Sequence, residues 1–194
     1  KYFIVIFFNF ILSCSSNNIK SVSNNIENTE KPELLYVQAM EDFDKKNYEI
    51  AIDKLQKISK LYPLSNEAIQ SQIMIGFSYY IQMDYEKAIF KFNQIIQKYP
   101  SHKNLDYVYY MKALCNYEQI NNAQLDGAFN EIAINDFYQV INRFPLSEYA
   151  KDSYQKIILV KSNQAAKHMN IGRFYQKEKN FTAALSRFKI VITD

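Results

Sequence analysis

A small residue and a proline stand twelve positions apart three times in this chain: Ala51 and Pro63, Ala88 and Pro100, Ala133 and Pro145. The first two copies share a tyrosine as well, Tyr48 and Tyr85, and the shift between them is 37 residues. A fourth copy, NFTAALSRFKIVITD, carries Phe181, Ala184 and Phe188. Repetition at this period constrains the fold more than any local pattern. One repeat of such a length is a supersecondary unit that buries its apolar face only by stacking on its neighbour. Three glycines and four prolines in 194 residues leave little material for hairpins of strands. No run alternates apolar and polar residues as a half-buried strand does. With 48% hydrophobic residues the chain has enough for a core and is expected to be all-α.

Within the second unit, Ile75, Gly76 and Tyr79 precede Tyr85, Ala88, Phe92 and Pro100. The spacing predicts two antiparallel helices, over roughly 70–82 and 85–98. Gly76 and Ala88 fall where the two helices cross closely, and overpacking such a site costs about 1–3 kcal/mol. Pro100 cannot continue the helix and sets the turn into the next unit.

This spacing resembles the tetratricopeptide repeat. Unit two carries Gly76, Tyr79, Ala88, Phe92 and Pro100 at the family's positions, and unit four carries Gly172, Tyr175, Ala184 and Phe188. Unit one has Ala39, Ala51, Leu55 and Pro63, and unit three has Ala113, Ala133, Phe137 and Pro145. The resemblance implies an all-α superhelix of antiparallel helix hairpins, with about four repeats present. Two departures stand out. Ala133 follows Ala113 by 20 residues where Ala88 follows Gly76 by 12, which places a loop around NNAQLDGAF. Gly172 follows Pro145 by 27 residues where Gly76 follows Pro63 by 13. The excess contains no glycine or proline, so Ser147 to Lys177 is one long helix or two meeting end to end.

The first helix of each unit shows an apolar stripe beyond its packing face. Tyr36, Met40 and Phe43 recur as Ile73, Phe77 and Tyr80, and again as Tyr110, Leu114 and Tyr117. Each set has the spacing of one helical face. Two readings are open: a stripe buried against neighbouring helices, or an aromatic groove for an extended peptide. Met169, Arg173 and Gln176 break the series in unit four, so a groove is expected to end near unit three.

The N-terminal run YFIVIFFNFIL, Tyr2 to Leu12, is shorter than the roughly 20 residues that span a bilayer and has the length of a signal-peptide apolar segment. ILSC follows, and resembles a bacterial lipobox with Cys14 as the acylated residue. An ordinary secretory signal with an incidental cysteine is the alternative. On the lipobox reading, 1–13 is a lipoprotein signal peptide, 14–31 a flexible polar tether and 32–194 the repeat domain. Ser15, next to the cysteine, then implies sorting to the outer membrane.

Catalytic chemistry has no foothold here. His102 and His168 lie in different units, and the sequence offers no Gly-rich phosphate loop, metal-ligand cluster or nucleophile elbow. No enzyme activity and no cofactor or metal is expected. A net charge of +3 without a block of like charge gives no footprint for nucleic acid. Cys115 sits in a helical run and reads as a small buried residue.

From Pro32 onward the chain resembles the BamD family of outer-membrane assembly lipoproteins. The segments that carry the likeness are PELLYVQAMEDFDKKNYEIAIDKLQKISKLYPLSNEA, SHKNLDYVYYMKAL, FPLSEYAKDSYQKI and FYQKEKNFTAALSRFK. Asp106, Tyr107 and Tyr110 after His102 are the most specific of these residues, because a generic repeat has no need of them. The resemblance implies a non-enzymatic subunit of the β-barrel assembly machine, on the periplasmic face of the outer membrane. Its N-terminal repeats would receive C-terminal segments of unfolded outer-membrane proteins, adding Tyr107 to the groove residues above. Its C-terminal repeats would hold BamA, with smaller lipoproteins attached, and Arg187 matches a family arginine there. Family members have five repeats, so the fifth is expected to be missing from this chain and the BamA-facing end incomplete. A tetratricopeptide-repeat adaptor lipoprotein of cell-wall synthesis or pilus biogenesis is the other reading that combines a lipobox with these repeats.

Overall fold

The computed structural model describes residues 31–120 and 128–193. The expected signal segment, Cys14 and all but the last residue of the expected tether lie outside the described residues, as does most of the expected loop in unit three. The described residues form eight helices and no strand. They are α1 (Pro32–Asp44), α2 (Tyr48–Leu61), α3 (Asn66–Ile81), α4 (Tyr85–Lys98), α5 (Leu105–Glu118), α6 (Ala128–Arg143), α7 (Glu148–Lys177) and α8 (Phe181–Thr193).

Each helix packs against the next in the chain, giving four hairpins in series. Beyond those pairs, α1 touches α3, α3 touches α5 and α5 touches α7, whereas no two even-numbered helices meet. The odd helices therefore form a closed inner layer and the even helices a splayed outer one, which is the geometry of a superhelical array. The chain is a tetratricopeptide-repeat superhelix.

The small residues phase the stack as the spacing requires. Ala39, Ala51, Ala88, Ala113 and Ala133 are all fully buried at 0% exposure. At Gly76 the reason for glycine is steric: a Cβ there would lie 2.6 Å from Cε1 of Phe92. The Phe92 ring thus fills the volume that a side chain at 76 would need.

The helix ends differ from expectation in one place. α3 begins at Asn66 and not near residue 70, because the Ser65 side chain accepts a hydrogen bond from the Ala68 amide at 3.1 Å and caps the extra turn. Ser147 does the same for α7, accepting from Tyr149 N at 3.2 Å. Both serines follow Pro-Leu, so one tripeptide ends a unit and starts the next helix. The long element is a single helix of 30 residues, from Glu148 to Lys177. The turns inside three of the hairpins place a non-glycine residue in the left-handed region: Lys46 at φ 64°, Met83 at 61° and Lys179 at 59°. Each closes its helix through a backbone bond from the following residue, such as Asp84 N to Tyr79 O at 2.9 Å.

The core falls into two clusters. A smaller one joins Leu35, Ile52, Leu55 and Ile58 of unit one to Ile75. A larger one runs from Ile73, Phe92 and Ile95 through Val108, Met111 and Phe137 to Ile157 and Val160.

Candidate functional site

The exposed side of the inner layer is aromatic. On its first part, Phe43 of α1 stacks on Phe77 of α3 with centroids 5.7 Å apart, and Phe77 stacks on Tyr80 at 6.2 Å. Tyr48 and Tyr85, the first residues of α2 and α4, close against Phe43 and Tyr80 at 5.2 Å and 5.9 Å. On its second part, Tyr149 of α7 lies between two α5 rings, 5.5 Å from Tyr107 and 5.2 Å from Tyr110. Tyr110 and Tyr117 both reach the buried Phe137, at 6.2 Å and 6.1 Å. Such offset and edge contacts fix ring positions and so hold an apolar surface in a set shape.

Phenol chemistry links the two parts. Tyr80 is pushed up to about 12 by burial and by the Glu118 carboxylate that faces its hydroxyl. Tyr107 is also raised to about 12, by burial first, with Tyr149 and Tyr80 among the neighbours that contribute. Burial holds Tyr110 well above the ordinary tyrosine value, and its hydroxyl donates a 2.5 Å hydrogen bond to Oδ2 of Asp152. These phenols are neutral donors at any physiological pH. Lys156 crowns the far end with its ammonium 4.9 Å from the Tyr117 ring centroid, a cation–π contact.

Tyr36, Met40, Phe43, Phe77, Tyr80, Tyr107, Tyr110 and Tyr117 are partly exposed residues of this inner layer. Ile73 and Leu114 are not available to a ligand: they are 2% and 9% exposed and belong to the larger core cluster. The reason is that α3 and α5 have an inner neighbour on each side, so one edge of the apolar stripe drops into the seam between helices. The start of α7, directly after unit three, adds Tyr149, Asp152 and Lys156 to the surface, all of them set against rings of α5. Counting forward from Pro145 reveals it: Asp152 follows that proline by seven residues, as Tyr107 follows Pro100. Counting back from Gly172 hides it, since that register lands at the far end of the long helix.

Arg187 lies on α8 and is partly buried. It follows the small Ala184 by three residues, the register of Lys54, Lys91 and Asp136 in the other units. Those three act inside their own hairpins: Lys54 bonds Asp42 at 2.6 Å, Lys91 bonds Gln72 at 3.0 Å, and Asp136 accepts from Lys112 at 2.9 Å and Asn116 at 2.7 Å. Cys115 is a fully buried thiol, pushed up to about 12 by burial, and so is inert at neutral pH. Among the described residues no group of three or more His, Cys, Asp or Glu is placed to hold a metal ion. Two clefts occur away from the aromatic face. One of about 430 Å³ lies between α6, α7 and α8, beside His168, and one of about 400 Å³ between α3 and α4.

A family model described as YfiO, outer membrane lipoprotein, matches residues 28–194. The chain is 36% identical over 164 residues to the outer membrane protein assembly factor BamD of Caulobacter vibrioides, covering 84% of this chain and 54% of that protein. It is 37% identical over 158 residues to the protein of the same name from Rickettsia prowazekii, covering 81% of this chain and 63% of that one. The chain thus spans a little over half the length of these two relatives. A solved structure of MamA from Desulfovibrio magneticus is similar at a TM-score of 0.48 and 14% identity, over 84% of this chain and 94% of that one, a likeness too remote to argue from. With the match running through all eight helices, the chain belongs to the YfiO family of outer membrane lipoproteins.

Proposed function

We propose that this protein is a non-enzymatic scaffold of outer-membrane protein assembly, and that its inner aromatic face receives C-terminal segments of unfolded outer-membrane proteins. The observation that carries this reading is the two preformed sets of rings on that face, Phe43, Phe77 and Tyr80 on one part, and Tyr110 and Tyr149 with Tyr117 on the other. An extended client strand would lay aromatic and apolar side chains on those rings, and the phenol oxygens of Tyr80 and Tyr110, whose protons go to Glu118 and Asp152, would accept from its amide N–H groups. Because the rings already hold one another, little ordering is left for binding to oppose. In this account acylated Cys14 ties the array to the periplasmic face of the outer membrane. BamA would be held toward the C-terminal side, with Arg187 a partner contact there and smaller lipoproteins attached to the same complex. The relatives' shared name, outer membrane protein assembly factor, supports the assignment of process.

The test is titration of a labelled C-terminal peptide from an outer-membrane β-barrel protein. Tyr80→Ala and Tyr110→Ala should each weaken binding by about thirtyfold, the size of a hot-spot truncation, with the helical signal retained. Unchanged affinity in both variants would remove the aromatic face as the receptor.

A further inference from the structure

The whole chain carries +3, yet carboxylates are gathered at the phenols of the aromatic face. Asp152 is bonded to the Tyr110 hydroxyl at 2.5 Å, and Glu118 faces the hydroxyl of Tyr80 and also raises Tyr85. Asp106 accepts from Ser147 Oγ at 2.6 Å, and it and Glu148 both raise Tyr149. The cations on these elements are mostly turned elsewhere. α3 contains no lysine or arginine. Lys112 of α5 is held on the other side by Asp136, at 2.9 Å. On α7, Lys151 falls opposite Tyr149 by helical spacing, and Lys156 reaches the face, over Tyr117. Asp106, Glu118, Glu148 and Asp152 thus lie among the phenols of α3, α5 and α7, where Lys156 is the ammonium seated over a ring.

We infer that this face sorts clients by charge, taking segments that carry lysine or arginine beside their aromatic residues and disfavouring those with aspartate or glutamate there. The inference rests on the reading of the face as a client receptor. Its basis is complementarity: a client cation set among the half-buried Glu118 and the exposed Asp152 is attracted, whereas a client carboxylate meets like charge there. Two partly exposed pairs, each worth a few-fold, amount to about tenfold together.

Three peptides with one aromatic pattern and lysine, glutamine or glutamate at the flanking positions, titrated against the full chain, provide the test. At low salt the lysine peptide should bind about tenfold more tightly than the glutamate peptide, and added salt should shrink that ratio as screening sets in. Glu118→Gln with Asp152→Asn keeps side-chain size and hydrogen-bond acceptors, and should bring the ratio to within about twofold. Equal binding of the lysine and glutamate peptides by the wild-type chain at low salt overturns the charge inference and leaves the aromatic receptor standing. A ratio that survives high salt or the double substitution overturns it equally. Failure of all three peptides to bind overturns both readings.

Discussion

Units two and four cross their helices with the same pair of residues. A Cβ at Gly76 would come within 2.6 Å of the Phe92 ring, and one at Gly172 within 2.4 Å of the Phe188 ring. What surrounds the two rings is different. Phe92 is 0% exposed and is walled in by the buried Ile73, Ile95 and Val108. Phe188 is partly exposed, and Ala184 is the only buried residue of α8, while Phe181 and Leu185 stand open beside it at 67% and 55% exposure. Close approach at a crossing is thus common to both units, but enclosure of the ring among the described residues is not. A ring held on all sides cannot yield to an added methyl group, whereas one open to solvent can turn aside.

The largest expected effect follows directly. Gly76→Ala should lower unfolding stability by about 3 kcal/mol, the upper end for overpacking, read from denaturant melts followed by helical circular dichroism. Gly172→Ala should cost only about 1 kcal/mol by the same measurement, because Phe188 can rotate away. Equal losses in the two variants would break the comparison. Rescue sharpens it: Phe92→Leu should recover much of the loss in a Gly76→Ala background, and Phe188→Leu should recover little in Gly172→Ala. The smallest effects are expected in the hairpin turns, where the two units should behave alike. Met83→Gly and Lys179→Gly remove a side chain from a left-handed backbone conformation and should each stabilise by up to about 1 kcal/mol. A gain in only one of the two would mean that packing reaches even these exposed turns.

Most of the fold was legible in the sequence because its phasing residues are few and stereotyped. Alanine, glycine and proline at fixed offsets mark crossings and stops, and the helices follow those marks. The hairpin turns were less legible: the glycine that would advertise a left-handed residue is replaced by Lys46, Met83 and Lys179. Their signal lies one step on, in the Asn or Asp before an aromatic residue at Asn47, Asp84 and Asn180. The candidate site was only partly readable. A stripe at helical spacing identifies a face, but not how much of it a neighbouring helix covers, and so the spacing alone does not separate Ile73 and Leu114 from residues that remain accessible. Tyr149 escaped for a different reason, since the lengthened α7 moves the inner-face register away from the glycine that marks the crossing.

Site-specific photo-crosslinking tests the central claim most directly. A photoreactive phenylalanine analogue would be placed at Tyr80, at Tyr110 and, on the outer helix α4, at Phe90, which is 64% exposed. With a client C-terminal peptide present, positions 80 and 110 should crosslink to it and position 90 should not. Crosslinking at position 90 alone, or equally at all three, would contradict a receptor built on the inner aromatic face.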